Sequence, residues 1–422
     1  MNTAFLKSFQ TLSEVYANGA FSSIALNRTL NNCTTHDKSL ITKLVYGVLD
    51  NDIKLSYIIG KYVRKMPKGE ALILLKIGAY CLSEPSIPPY AVVNDIAELA
   101  KITGDKYVVG FVNATLKRLS QTVKSFDDYP QDTVENISVR YSYPLWALKK
   151  LVKDYGKEQA FAIASNPPEQ RSTVRFANGV DKLTVADKYG VEAQITPFDD
   201  AFYISGALKQ DNGDYTMQSL SSMCIARICA EKLQNGKFLD CCAAPGGKSV
   251  YVKQLCPQAS VTSCDVHSHR VELINAYAER MKVSLTAECR DMTAYCAEFA
   301  NAFDVVLCDV PCSGFGVLNT RPDIKLFRKS EDLPALMKLQ YGILSNCSNY
   351  VKKGGYLIYS TCTVFDNENG QNIRKFLKEH TDFKYSQIRL PQFPSANGQS
   401  CYQFLPHKDN VQGFYVAVMQ RV

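Results

Sequence analysis

From residue 215 onward, short apolar runs of strand character alternate with stretches of helical periodicity, and this alternation constrains the fold more than any other feature. The runs are "KFLDCCA", "SVTSCDV", "FDVVLCDV" and "GGYLIYSTCTV", each separated from the next by a segment with helical spacing. Strands joined by helical crossovers lie parallel, and the connections are right-handed, so the pattern predicts an α/β domain with a parallel sheet. Ligands in such sheets bind beyond the carboxyl ends of the strands. Those ends carry acids and thiols here.

The first 128 residues predict a different architecture. "SLITKLVYGVLDNDIKLSYIIGKYV" places apolar residues at i, i+3, i+4 and i+7, and "YAVVNDIAELAKITG" and "YVVGFVNATLKRLSQTV" repeat the spacing, with Pro67, the "PSIPPY" stretch around Pro85 and Gly104 as breaks. This is an all-α domain. After a linker around "FDDYPQDT", helical "YSYPLWALKKLVKDYGKEQAFAIASNPP" and the strand-like runs "STVRFA", "EAQIT" and "AFYIS" predict a small α+β module. The expected division is therefore 1–128, 129–213 and 214–422.

Charge and cysteine usage narrow the class. Net charge is +7, and residues 1–150 hold 18 basic and 13 acidic side chains, a balance that permits a polyanionic partner without requiring one. Lys101, Lys106, Lys117 and Arg118 form either a solvated face or an RNA-facing patch. The 15 cysteines are odd in number and many fall in apolar runs, so they read as reduced. No CxxC spacing occurs, which predicts no structural metal. The absence of any 18-residue apolar stretch predicts a soluble, cytoplasmic protein.

"LDCCAAPGGKSVY" joins a strand, an acid, a glycine turn and a helix start. Gly246 and Gly247 admit close approach of a ligand to the backbone, beside the unpaired N–H groups of a helix N-terminus. A phosphate loop is excluded because Cys242 stands where that motif requires glycine, and no GxGxxG occurs. Asp265 closes the next strand, about 25 residues beyond Asp240, where a carboxylate accepts both ribose hydroxyls. Asp291 follows the next run and suits an adenine amino group, and Asp309 closes the fourth. Acids at successive strand ends beside a glycine loop favour an S-adenosylmethionine pocket.

Two thiols stand just past strand ends, Cys312 in "DVPCSGFGVL" and Cys362 in "YSTCTV". Carbon 5 of cytosine is a poor nucleophile until a thiolate adds at carbon 6, which turns the ring into an enamine able to take a methyl group. A second thiol assists departure of the adduct, and Asp309 can hydrogen-bond the N3 and N4 edge. Lys248 is either a solvated helix-start lysine or a cation that lowers a thiol pKa. Arg321 and Asp323 in "NTRPDIKLF" read as a surface salt bridge or as residues ordering a loop over the substrate, and Asn166 as a turn former. Chemistry alone does not choose which thiol attacks.

With these motifs the chain resembles the Sun/RsmB (NOL1/NOP2/Sun) RNA cytosine-C5 methyltransferases, nearly end to end. "PPYAVVNDIAELAK" and "FVNATLKRL" look like the family's NusB-like RNA-binding domain, and "RYSYPLWALKKLVKDYG" and "NPP" like its intermediate module. "LDCCAAPGGKS", "DVPCSGFGVL", "RPDIK", "YSTCT" and "LPHKDNVQGFYVAVMQR" look like its catalytic core. The resemblance implies a Rossmann-type core using S-adenosylmethionine on 16S ribosomal RNA before assembly of the small subunit, in a monomer without metal. It assigns the cofactor side to Cys242, Ala243, Ala244, Pro245, Gly246, Gly247, Lys248, Asp265, Arg270, Asp291 and Asp309. It makes Cys362 the nucleophile and leaves Cys312 for product release, with Asp309 and Lys248 beside them. Cys241 stands where an aliphatic residue is usual, and Ser249 replaces the common threonine. A tRNA methyltransferase of the same family, a DNA methyltransferase and a non-catalytic assembly factor are the competing expectations.

Overall fold

A computed structural model describes residues 3–31, 33, 35–83, 88–104, 106–121, 133–166, 172–177, 180, 193–204 and 213–422, and the chain divides into two compact units. The turn at Pro85, the linker "FDDYPQD" and the prolines of "NPP" lie outside the described residues.

The first unit comprises residues 1–165 and 318–330. Its helices bury one stripe each: Thr3–Asn18 turns Phe5, Phe9, Leu12 and Val15 inward at the spacing the sequence predicts. Gly69–Leu82 is apolar nearly all round and runs through the core, carrying a buried Lys76 whose ammonium is neutralised by Asp52 and lies over the Tyr16 ring at 4.7 Å. The segment 318–330 belongs to this helical unit. Its Asp323 is buried and accepts a hydrogen bond from Ser22 Oγ, Lys325 Nζ reaches Asp50 Oδ1 at 3.2 Å, and Arg321 lies over the Phe21 ring at 5.0 Å. Neither expectation for Arg321 and Asp323 describes these contacts. Among the basic residues, Lys101 pairs with Glu98 and Arg118 donates to the Tyr62 carbonyl, while Lys106 and Lys117 are exposed.

The second unit comprises residues 166–317 and 331–422 and holds two sheets. A small antiparallel sheet has the order β2-β3-β1-β4, from β1 (Ser172–Phe176), β2 (Ala193–Ile195), β3 (Ala201–Ile204) and β4 (Tyr215–Met217). Thus the helices at 134–165 fall in the first unit and the strands that follow fall in the second. The large sheet is built from β5 (Lys237–Asp240), β6 (Ser260–Asp265), β7 (Thr286–Cys289), β8 (Phe303–Asp309), β9 (Val351–Thr361), β10 (Phe383–Tyr385), β11 (Cys401–Phe404) and β12 (Phe414–Arg421). Its order is β10-β12-β9-β8-β5-β6-β7, with β11 also on β12. The strands β9, β8, β5, β6 and β7 are parallel, and β12 runs antiparallel to β9. This is a Rossmann-type sheet. The chain winds outward one way from β5 through β6 to β7, then returns to β8 on the other side, so the topological switch point lies between β5 and β8.

Most of the cysteines are core residues, and Cys241, Cys308 and Cys347 pack with their sulfurs within 4.8 Å of one another inside the apolar core of the large sheet. They converge through the fold rather than through sequence spacing. Among the described residues no helix is long and apolar enough to cross a membrane.

Candidate functional site

The turn after β5 is shaped by its backbone. The Ala243 amide donates to the Cys264 carbonyl at 2.8 Å, and the Gly246 amide closes back on the Ala243 carbonyl at 2.7 Å. Gly246 sits at φ +103°, where an L side chain is strained and its Cβ would meet Ile274 at 3.3 Å. The helix Gly247–Leu255 then starts, presenting its first amides beyond the sheet. Cys242, Ala244 and Pro245 form the rest of the turn, with a cis bond between the last two. Asp240 is fully buried beneath it, accepting from Ser249 Oγ at 2.6 Å, and burial raises its carboxyl to about 6 against the Ser249 hydrogen bond.

Two acids stand on adjacent strand ends. Asp265 closes β6, is buried, accepts the His267 amide at 3.2 Å and has Arg270 Nη1 at 3.9 Å. Just beyond β7, Asp291 is exposed, and the Thr293 hydroxyl and amide at 2.7 and 2.9 Å hold its carboxyl below the usual range. The Arg290 amide donates to the Asp265 carbonyl, tying the two ends together. This donor set fits an adenosine moiety: carboxylates accept from hydroxyl and amino groups, and a glycine turn admits the remainder of the ligand.

Across the switch point lies the charged part. Lys248 Nζ donates to Asp309 Oδ2 at 2.6 Å, and Ser360 Oγ donates to Asp309 Oδ1 at 2.6 Å. Burial opposes the Lys248 charge, but Asp309, with smaller contributions from Asp240 and Cys362, outweighs it and raises the ammonium pKa. Lys248 is therefore a part-buried residue paired with Asp309 and not a solvated helix start.

The two thiols meet. β8 and β9 are hydrogen-bonded neighbours, and the loops leaving them carry Cys312 and Cys362 with Sγ atoms 3.3 Å apart. The Gly316 amide donates to the Cys362 carbonyl at 2.9 Å, so the second loop is bonded to the first. Contact with the Cys362 sulfur, then burial, pushes the Cys312 thiol up. The fold thus gathers Cys312, Cys362, Asp309 and Lys248 and places Asp265, Asp291 and Arg270 at the neighbouring strand ends. Sequence reasoning passed over a buried polar layer behind the thiols, made of Ser313, Thr363, Glu368 and Gln340. "DNENG" offered only two acids in a polar run.

The family model described as 16S rRNA methyltransferase RsmB/F matches residues 228–420, and the NusB family model matches residues 6–121. The chain is 34% identical to the probable ribosomal RNA small subunit methyltransferase B of Bacillus subtilis strain 168 over 98% of both chains. It is 31% identical to ribosomal RNA small subunit methyltransferase B of Photorhabdus laumondii, over 99% of this chain and 98% of that one. The crystal structure of PH0851 superposes with a TM-score of 0.80 over 99% of each chain at 19% identity, a likeness of fold.

Proposed function

The chain belongs to the ribosomal RNA small subunit methyltransferase B family, and on that premise we propose that it methylates carbon 5 of a cytidine in 16S ribosomal RNA, with Cys362 as nucleophile. The observation that carries the proposal is the 3.3 Å approach of Cys312 and Cys362 beside the Lys248–Asp309 ion pair. S-adenosylmethionine, when bound, supplies an electrophilic methyl group on a sulfonium.

The protein's part is to make the base reactive and then to let it go. Cys362, as thiolate, adds to carbon 6 of the extruded cytosine; the Lys248 charge lies close enough to favour that thiolate. Asp309, held by Lys248 and Ser360, presents its remaining acceptor capacity to the N4 amino group and stabilises the electron-rich ring. Once carbon 5 carries the methyl group, a solvent base takes its proton, the freed electron pair restores the C5–C6 double bond, carbon 6 expels the Cys362 sulfur, and the Cys312 thiol gives its proton to that departing sulfur. Asp265 and Asp291 hold the ribose and adenine, with Arg270 beside Asp265 and the turn Cys242–Gly247 against the rest. The domain at 1–128, which includes the NusB-matching residues, and the module at 129–213 bind RNA, and 214–422 carries the catalysis.

The test is a ribosomal RNA transcript containing 5-fluorocytidine, incubated with the enzyme and S-adenosylmethionine. Fluorine blocks departure of the carbon 5 substituent, so a covalent complex that maps to Cys362 by mass spectrometry is expected. An adduct on Cys312 reverses the two roles, and no adduct on either refutes covalent catalysis.

A further inference from the structure

Glu368 is completely buried, and three donors surround its carboxylate. The Ser313 amide and Gln340 Nε2 donate to Oε1 at 2.9 and 2.8 Å, and Ser313 Oγ donates to Oε2 at 2.5 Å. Ser313 follows Cys312 in the chain. Its hydroxyl also lies 2.7 Å from Thr363 Oγ1, and Thr363 follows Cys362. Since the Ser313 proton is committed to Glu368, the Thr363 hydroxyl must donate to Ser313, and the direction of the chain is Thr363 to Ser313 to Glu368. Gln340 extends the same clamp, donating to the Pro311 carbonyl at 3.0 Å on the other side of Cys312. The carboxylate is itself anchored by its backbone, whose carbonyl accepts from Tyr359 Oη at 2.6 Å and Asn372 Nδ2 at 3.2 Å.

No packing requirement explains an acid at this place. A fully desolvated carboxylate costs several kcal/mol unless it is met by good donors, and an apolar residue would fill the volume without that cost. What the carboxylate gives that an apolar residue cannot is a rigid, charged bridge between two loops that must act on one atom of substrate.

We propose that Glu368 is the positioning residue that sets the separation of Cys312 and Cys362 for the release step. The role presupposes the cytosine chemistry proposed above. Electrostatics agrees with the geometry: after contact with Cys362 and burial, the Glu368 charge is a further influence pushing the Cys312 thiol up.

Two variants separate the clamp from the charge. Glu368→Gln keeps the shape and removes the charge; Ser313→Ala removes the hydroxyl relay and keeps the carboxylate. Both are expected to form the Cys362 adduct with unmodified RNA but to release it about tenfold or more slowly, so that adduct accumulates on denaturing gels with KM for RNA little changed. Only Glu368→Gln is expected to shift the pH midpoint of Cys312 alkylation by iodoacetamide, and to shift it downward. That measurement uses the full chain without RNA and a thermal melt confirms folding, so it stands apart from turnover. A Glu368→Gln protein that melts normally, alkylates Cys312 with an unmoved midpoint and accumulates no adduct overturns the proposal. Failure of the cytosine chemistry is distinguishable, because then the wild-type protein itself forms no adduct with 5-fluorocytidine RNA.

Discussion

Replacing Gly316 by alanine tests whether the mutual support of the two cysteine loops is structural necessity. A Cβ on Gly316 would lie 1.8 Å from the Gly413 carbonyl oxygen and 2.8 Å from that of Cys362. Real Cβ contacts do not fall below 3.0 Å, so the Gly413 peptide must retreat by at least 1.2 Å. That peptide cannot move alone. Its amide donates to the Gly316 carbonyl at 2.8 Å, and the Gly316 amide in turn donates to the Cys362 carbonyl at 2.9 Å. Relief of the clash therefore breaks or stretches two hydrogen bonds, worth about 1 kcal/mol each, and overpacking of this kind costs about 1–3 kcal/mol. For a unit of this size that corresponds to a fall in Tm of about 2–12 °C.

The catalytic loss should be larger than the loss of stability suggests. A displacement of about 1 Å at a reacting group costs on the order of 100-fold, and Cys362 is one hydrogen bond from the clash. Methyl incorporation into a ribosomal RNA transcript, measured at a temperature where circular dichroism shows the variant folded, gives kcat directly. The control is Gly342→Ala in the helix Leu333–Ser348, where the added methyl meets nothing within 4 Å. There the same substitution should stabilise by about 1 kcal/mol through helix propensity and leave kcat unchanged. If Gly316→Ala keeps kcat within threefold of wild type and melts within 2 °C of it, the close approach of Gly316 and Gly413 has no functional weight and the loop argument is wrong.

Two further predictions concern charge beneath the site. Lys248→Met removes the ammonium that lies 5.5 Å from the Phe414 ring centre and leaves Asp309 with Ser360 as a hydrogen-bond donor; methyl transfer should fall about 100-fold at pH 7, and the deficit should narrow toward pH 9 as bulk base replaces the cation in forming the thiolate, whereas a deficit independent of pH would remove Lys248 from thiolate stabilisation. Asp240 has its folded pKa raised from 3.8 to about 6, so between those values the folded state holds more proton than the unfolded one and stability must fall as pH rises through the window, by up to about 3 kcal/mol; Asp240→Asn should flatten that slope in urea titrations from pH 4 to 7, and an unchanged slope would show that another group carries it.

The parts of this protein that were legible in its sequence are those whose signal is local. Apolar alternation, a glycine turn and an acid at a strand end are each complete within about ten residues, and β5 to β9 with Asp265, Asp291 and Asp309 follow from them. Glu368 was not legible, because its meaning depends on Ser313, 55 residues away, and on β8 and β9 being neighbours. Nothing in "DNENG" distinguishes a clamp from a turn. Asp323 is a stronger case: it bonds Ser22 across 301 positions, so a motif that follows the Cys312 loop in sequence belongs by packing to the helical unit. The convergence of Cys241, Cys308 and Cys347 was not legible for the same reason, since the three have no revealing spacing and yet share one space.

The placement of the two thiols follows from this topology. Parallel neighbours β8 and β9 end side by side, so one residue beyond each strand can converge on one substrate atom without either loop being long. Convergence alone would leave two flexible loops with thiols free to drift apart or to approach too closely. The polar layer removes that freedom: Gly316 bonds the Cys362 carbonyl on one side, and Ser313, Thr363 and Glu368 close the other. The roles proposed for the two thiols need a fixed distance between them. The buried Glu368 carboxylate, bonded to the residue that follows Cys312, helps to fix it.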